Sequence, residues 1–187
     1  MATIAGNFIN ASPIGDFTIF FLALDSTIVL SDGKQKRELP LRQLYKGYKS
    51  LDKNPAEFID RIWFELPGRH SLFNFEKISK RTHLDIASVN TAIHLKMSGK
   101  RVEHASISAG GVGPVPTYLL KTSEFLKGKE ISESLAFDAI EVMKTEISPI
   151  SDARGSKEYK SFLLGQLIKA HFMILFPELD VVELLKA

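Results

Sequence analysis

The opening of the chain constrains the fold most, because a polar segment that contains glycine runs directly into an apolar one. Residues 2–16 read ATIAGNFINASPIGD, and residues 17–24 are mostly apolar. Gly6 allows a ligand or another segment to approach the backbone closely, while Asn7, Asn10 and Ser12 can bond phosphate or ribose oxygens. The pattern predicts a ligand-facing loop that enters a buried helix, whose N-terminal amides favour an anion. The spacing alone leaves open an ordinary strand–loop–helix connection without a ligand.

Composition narrows the class of protein. The chain has 187 residues, of which 44% are hydrophobic, enough for one large or two small cores. The formal net charge is +2 and charges of both signs are interspersed, so nucleic-acid binding is not indicated. The sequence has no cysteine, which excludes disulfides and thiolate metal sites, and any iron–sulfur cluster must belong to another chain or domain.

The apolar run at 17–24 is far shorter than the roughly 20 residues that span a bilayer. We expect a cytoplasmic protein that does not enter a membrane.

Strand patterns dominate residues 27–66. Residues 27–30 and 36–39 flank the turn signal Ser31-Asp32-Gly33, which predicts a hairpin. Residues 40–48 are mixed and are expected to be irregular. Residues 57–66 alternate as a half-buried strand does.

A second group of strands follows. Residues 71–79 predict one strand, and residues 89–97 and 101–108 predict a hairpin around Ser98-Gly99, which makes three antiparallel strands. A short helical turn is expected at residues 85–87. The glycine cluster at 109–114 lacks the spacing of a phosphate loop, so close packing is the preferred interpretation.

The remainder of the sequence predicts helices. Residues 117–126, 133–147 and 157–176 show helical spacing of apolar residues, and Ser132 and Ser156 are suited to cap the last two.

Histidines and serines do not form a catalytic set of their own. His94 and His104 are expected on neighbouring strands, yet two histidines without a carboxylate pair make a poor metal site. His171 lies near an apolar stripe, where a core histidine is the simpler interpretation. Neither an HExxH nor a GxSxG motif is present, so a metalloprotease or a serine hydrolase is not predicted.

Three motifs together resemble one family. Residues 2–16 resemble the second flavin-binding motif in the FAD subunit of molybdenum hydroxylases, a family that includes xanthine dehydrogenase and aerobic carbon monoxide dehydrogenase. The matching positions are Ala2, Thr3, Ile4, Gly6, Asn7, Ala11, Ser12, Pro13 and Asp16. Ala5 departs from the pattern, where the family usually has glycine. FEKISKRTHLDI at 75–86 and SDARGSKEY at 151–159 resemble two further motifs, in the order of the family.

The resemblance implies an α+β fold in two parts. Residues 1–67 would be the end of an FAD-binding α/β domain, and residues 68–187 a domain with a three-stranded antiparallel sheet packed with helices. The resemblance also implies that the strand at 57–66 is longer around Trp63-Phe64 than in the family, for which a bulge is one explanation. The residues that the resemblance implies for FAD are Thr3, Gly6, Asn7 and Asn10 for the phosphate and ribose portion, Asp16 for the ribityl and phosphate region, and Ile59 and Lys77 near the ring. The loop 81–85 would cover one face of the isoalloxazine, and Asp152 and Arg154 would form a charged pair that fixes a turn.

The same resemblance implies a function in electron transfer. FAD in this family receives electrons from [2Fe–2S] clusters and passes them to NAD or oxygen, and the clusters and the molybdenum cofactor are expected only in partner chains. In the family a larger N-terminal half precedes the second flavin motif, and this sequence begins at that motif. We therefore expect a fragment or split subunit that is inactive alone, with the missing half as a partner and a homo-oligomer as a further option. The alternative is a non-catalytic scaffold that keeps the fold without flavin, which Ala5 and the missing half both favour.

Overall fold

The computed structural model describes residues 3–81 and 85–186, which form an α+β fold as predicted. Within those ranges the helices are α1 (Ile4–Asn10), α2 (Asp16–Ala23), α3 (Leu41–Leu44), α4 (Leu120–Leu126), α5 (Glu133–Lys144), α6 (Lys157–Leu175) and α7 (Val181–Leu185). The strands are β1 (Thr27–Ser31), β2 (Lys36–Pro40), β3 (Tyr45–Gly47), β4 (Ser50–Leu51), β5 (Phe58–Trp63), β6 (Ser71–Ser79), β7 (Ala87–Ser98), β8 (Arg101–Gly110) and β9 (Thr117–Tyr118). None of the helices in these ranges is long and apolar enough to cross a membrane.

The N-terminal segment is helical, so the predicted loop is wrong. The Thr3 hydroxyl accepts a hydrogen bond from the Gly6 amide at 2.9 Å and caps α1, and Phe8 is fully buried below the helix. Ala11 ends α1 in the left-handed conformation, with φ of 49°. The cap satisfies a first-turn amide, and the burial of Phe8 in the N-terminal core supplies the tertiary packing on which so short a helix depends. The buried helix predicted next is confirmed as α2.

The first sheet has the order β2-β1-β5, and all its pairs are antiparallel. The predicted hairpin is confirmed as β1 and β2. A bulge is present, but it lies at Asp60 instead of near Trp63-Phe64, because the register shifts between Ile59 and Arg61. The extra residue lets Ile59 and Ile62, three positions apart, both pack on the N-terminal core.

The expectation that residues 40–48 are irregular is wrong. They contain the single helical turn α3 and the short strand β3. Leu41 and Leu44 are three residues apart and fully buried, so one helical turn places both in the core.

The second sheet has the order β6-β7-β8-β9 and contains the three predicted antiparallel strands. It differs from the prediction in its fourth strand, since Tyr118 pairs with Ser108 and helix α4 begins only at Leu120. The predicted helical turn at 85–87 is also wrong. Ala87 is the first residue of β7 and pairs with Ser79, because a long β-bonded strand satisfies more backbone groups than one isolated turn.

The second sheet is covered on both faces. Helices α4, α5 and α6 enclose the larger core on one face, and α2 packs on β7 and β8 from the other. Small side chains such as Ala92 and Ser108 face α2, and the Ser108 hydroxyl donates to the Ile19 carbonyl at 2.6 Å. The N-terminal motif is thus held directly on the second sheet.

The predicted caps of the two longest helices are confirmed. Ser132 accepts from the Leu135 amide and Ser156 from the Tyr159 amide. Helix α5 ends at Lys144, three residues earlier than predicted, and α6 ends one residue earlier than predicted.

Candidate functional site

A carboxylate at the start of α2 is the centre of the candidate site. Asp16 is the first residue of α2, and its two oxygens receive hydrogen bonds from two strands of the second sheet. Lys77 Nζ on β6 donates to Asp16 Oδ2 at 2.7 Å, and Asn90 Nδ2 on β7 donates to Asp16 Oδ1 at 2.6 Å. The structure therefore brings together Asp16 and Lys77, which are 61 positions apart in the sequence.

The ion pair between Asp16 and Lys77 is partly open to solvent. The side chain of Asp16 is 42% exposed and that of Lys77 is 28% exposed. Asn90, by contrast, is completely buried. The site thus has a fixed inner side and an outer side at which a ligand can reach both charged groups.

Lys77 reaches Asp16 because of the alternation of side chains along β6. Phe73 and Phe75 lie four and two positions before Lys77, on the same face of the strand. Both rings approach Phe20 of α2, with centroids 4.7 Å and 6.5 Å from it. These aromatic contacts set the distance between α2 and β6, and that distance lets the ion pair form.

Asn7 has a structural contact within the N-terminal motif. Its Oδ1 accepts from the Thr18 amide at 3.1 Å and from the Thr18 hydroxyl at 2.9 Å, in the first turn of α2. A methyl group added at Gly15 would lie 2.7 Å from this oxygen. The Asn7 carboxamide oxygen therefore joins α1 to α2, and its amide nitrogen is the group that remains for a ligand.

The other residues that the resemblance implies lie in three places. Thr3 and Gly6 are exposed neighbours at the start of α1, where a methyl group at Gly6 would come within 2.9 Å of the Thr3 hydroxyl. The Asn10 carbonyl and side-chain oxygens receive the ammonium group of Lys49, from the turn between β3 and β4. Ile59 lies on the first sheet, half-buried against the N-terminal core.

The predicted covering loop is only partly described. Residues 82–84 lie outside the described residues, whereas Arg81 and Asp85 on either side form an ion pair of 3.1 Å. The hydrogen bond from Arg81 lowers the pKa of Asp85 to about 2.

A cavity of about 360 Å³ borders the N-terminal turn and the glycine cluster. Its wall includes Lys160, a lysine of α6 that is only 3% exposed and donates to Asp152 at 2.8 Å and to the Ile150 carbonyl at 2.9 Å. The predicted pair of Asp152 and Arg154 is therefore wrong: Arg154 contributes its backbone amide, and Lys160 is the cation. Burial raises the pKa of Asp152, but the hydrogen bonds from Lys160 and the Arg154 amide outweigh it and lower that pKa.

Asn90 is the functional candidate that the sequence did not reveal. It stands in a run of apolar and small residues, and a polar amide inside a buried strand is the only local signal. Which acceptor it meets depends on residues 74 positions away.

Comparison with known proteins identifies the family. Residues 75–174, more than half of the chain, match the family model of the CO dehydrogenase flavoprotein C-terminal domain. The chain belongs to this flavoprotein family. Residues 1–67 match a second model, the FAD binding domain in molybdopterin dehydrogenase.

Relatives agree with this assignment to the flavoprotein family. The chain is 29% identical over 178 residues to the glyceraldehyde dehydrogenase medium chain of Sulfolobus acidocaldarius, covering 95% of this chain and 61% of that one. It is 27% identical over 169 residues to the carbon monoxide dehydrogenase medium chain of Afipia carboxidovorans, covering 90% and 58%. The chain thus spans about three fifths of these medium chains.

A solved structure shows the same fold. The carbon monoxide dehydrogenase of Hydrogenophaga pseudoflava, in a form that lacks the Mo-pyranopterin moiety, superposes with a TM-score of 0.89. The match covers 94% of this chain and 61% of that chain at 22% identity, so it supports the fold alone.

Proposed function

We propose that the chain is part of the FAD subunit of a molybdenum hydroxylase and helps to hold FAD. The observation that carries the proposal is the Asp16 carboxylate, held between Lys77 and Asn90 and open on one side. The match of residues 1–67 to an FAD-binding domain supports it.

The groups around Asp16 suit the hydroxyl-rich ribityl chain of FAD. Each carboxylate oxygen receives one hydrogen bond and has a further lone pair for a ligand hydroxyl. The Lys77 ammonium has three N–H donors, of which Asp16 takes one. Donors and acceptors therefore lie side by side at the solvent-facing edge of the site.

The remaining residues have matching chemistry. Thr3 and Gly6 are exposed at the start of α1, beside the Asn7 amide, and would meet the phosphate and ribose portion. Lys77 would lie near the ring, where its positive charge stabilises added negative charge. Ile59 would contribute apolar contact with the ring. The Asn10 oxygens already accept from the Lys49 ammonium group, so Asn10 would bond the phosphate and ribose portion only by sharing them.

Bound FAD would supply two-electron redox chemistry, between [2Fe–2S] clusters of a partner chain and NAD or oxygen. The molybdenum cofactor would also belong to a partner chain. The part of this chain is to bind and orient the flavin, to place Lys77 of the second sheet beside it, and to hold Asp16 of α2 against that sheet.

A scaffold function without flavin is the second candidate. The observation that favours it is that the Asn7 carboxamide oxygen and both Asp16 oxygens already have partners within the protein. Ala5 in place of the usual glycine of the motif agrees with it.

The absorption spectrum of the purified protein and a fluorescence titration with FAD distinguish the two candidates. Flavin bands or saturable binding, weakened about tenfold or more by Lys77→Met, are expected for an FAD site. The matched control is Lys96→Met, because Lys96 forms an ion pair of the same 2.7 Å length with Glu103 near the other end of β7. A colourless protein without saturable binding would mean that this chain does not hold FAD by itself. The titration is then repeated with the N-terminal half of a related FAD domain added: binding in the mixture would support an FAD site shared between the two halves, and no binding would contradict the FAD site and favour the scaffold.

A further inference from the structure

Asn90 occupies a buried position between the N-terminal turn and the second sheet. The residue is fully buried and pairs directly with Gly110 across β7 and β8. Its side-chain nitrogen donates both to Asp16 Oδ1 at 2.6 Å and to the Ile14 carbonyl at 3.3 Å. One amide group thus bonds to the functional carboxylate and to the turn that precedes it.

The orientation of this amide is determined by its surroundings. Its nitrogen faces two oxygen acceptors, so a rotated amide would place oxygen against oxygen at both contacts. The Asn90 Oδ1 atom is buried and has no hydrogen-bond partner among the described residues. An unpaired buried acceptor is unfavourable, so the two donated hydrogen bonds are the favourable contribution of this side chain.

The glycine cluster provides the space for this arrangement. A methyl group at Gly110 would lie 2.1 Å from Asn90 Oδ1 and 2.8 Å from the Pro13 carbonyl. The next residue, Gly111, donates its amide to the same Pro13 carbonyl at 3.0 Å. The turn at residues 13–16 is thus docked on the sheet by backbone and side-chain hydrogen bonds together.

We propose that Asn90 is the positioning residue of the flavin site. By holding one oxygen of Asp16 while Lys77 holds the other, it turns the remaining lone pairs of the carboxylate toward the ribityl hydroxyls of FAD. The inference rests on the proposed function, and it adds a residue that acts through Asp16 without touching the flavin.

Replacement of the Asn90 amide tests this role. Asn90→Leu keeps the number of side-chain heavy atoms and removes both donors, and we expect FAD to bind about tenfold more weakly. Asn90→Asp places a second carboxylate against Asp16, and we expect a larger loss. Asn90→Ser, which creates no bulk, is available if the leucine variant does not fold, and the same loss of about tenfold is expected.

Thr91→Val is the matched control for stability. Thr91 is the next residue of β7, is equally buried, and donates to the Ser108 carbonyl at 2.7 Å. Thr91→Val removes a buried hydrogen bond of the same sheet without touching Asp16. We expect Thr91→Val to bind FAD as the unchanged protein does.

A double-mutant cycle separates positioning from general destabilisation. If Asn90 acts through Asp16, Asn90→Leu should weaken FAD binding by less than about twofold once Asp16→Ala is present. If the two losses simply multiply, the positioning role is wrong.

The outcomes distinguish the inference from the function on which it rests. FAD binding by the unchanged protein together with unchanged binding by Asn90→Leu, or an equal loss in Thr91→Val, would overturn the inference and leave the function intact. Failure of the unchanged protein to bind FAD, both alone and with the N-terminal half of a related FAD domain added, would overturn both.

Discussion

At the scale of single residues, the contact between Asn90 and Gly110 tolerates no added atom. Gly110 is the last residue of β8 and faces both a side-chain oxygen and a backbone carbonyl. The carbonyl of Pro13 belongs to the turn that leads into α2, so it cannot move without shifting the Asp16 site.

Gly110→Ala should therefore lower the free energy of unfolding by about 2 kcal/mol, in the range of overpacking substitutions. Equilibrium unfolding in urea measures this change. Gly68→Ala is the control, because a methyl group there meets no atom within 4 Å, and we expect it to be nearly neutral. Equal stability of both variants would show that the turn is not docked as described.

His171 is a second residue whose surroundings define its behaviour. It is fully buried in α6, and its Nδ1 lies 2.9 Å from the Asn74 side-chain nitrogen of β6. Burial lowers the pKa of His171 from 6.5 to about 3. The residue is therefore a neutral core histidine at physiological pH, as the sequence suggested.

This pKa predicts how stability depends on pH. Between pH 6.5 and about 3 the unfolded chain binds a proton at His171 that the folded chain does not bind. The contribution of His171 to stability is thus unchanged above pH 6.5 and falls by roughly 1.4 kcal/mol per pH unit below it. Urea unfolding between pH 7 and 4.5 should show a shallower loss of stability for His171→Gln than for the unchanged protein. His104→Gln, at an exposed position, is the control, and parallel curves for all three proteins would contradict the prediction.

At the scale of elements, one extra residue in β5 decides which side chains reach the core. Asp60 is the bulged residue, and Ile59 and Ile62 on either side of it face the N-terminal core together. Without the bulge, side chains three positions apart would point to opposite faces of the strand.

Deletion of Asp60 should therefore turn one of these isoleucines toward solvent and lower the free energy of unfolding by about 2 kcal/mol or more. Asp60→Asn is the matched control, because it keeps the bulge and removes only the exposed ion pair with Lys36. That pair contributes at most about 1 kcal/mol. A deletion variant as stable as Asp60→Asn would show that the bulge does not set the register.

At the scale of the whole molecule, the two sheets share helix α2. The helix packs on β7 and β8 with one side and contributes Ile19 and Leu22 to the N-terminal core. The buried hydrogen bond from Ser108 to Ile19 and the site at Asp16 lie in the same interface. Because α2 packs on the second sheet and also contributes to the N-terminal core, neither of these two regions can lose its packing alone.

We therefore expect the chain to unfold in one cooperative transition. Trp63 is the single tryptophan and lies on the first sheet, so its fluorescence reports that part of the molecule. Far-UV circular dichroism is dominated by α4, α5 and α6 of the second part. The two denaturation curves should coincide, and an earlier change in fluorescence would mean that the parts unfold independently.

The sequence by itself determined the elements that depend on near neighbours. The caps at Ser132 and Ser156 bond amides three residues away, and the hairpin around Ser98-Gly99 joins adjacent strands, so local patterns were sufficient. The family motifs likewise indicated Asp16 and Lys77 as site residues. Expectations failed at the bulge at Asp60, where the partner strand β1 is distant in sequence, and at Asp152, whose cation is Lys160 of the following helix instead of the nearer Arg154.

Only the tertiary structure decided how the site is held. The acceptor of Asn90, the space left by Gly110 and the pairing of Asp16 with Lys77 each join segments tens of residues apart. Periodicity shows which face of a strand is buried, but it does not show which distant group lies opposite. Which distant group lies opposite depends on the packing of α2 on the second sheet. A hydrogen bond forms only when donor and acceptor are close enough, and the packing sets that distance.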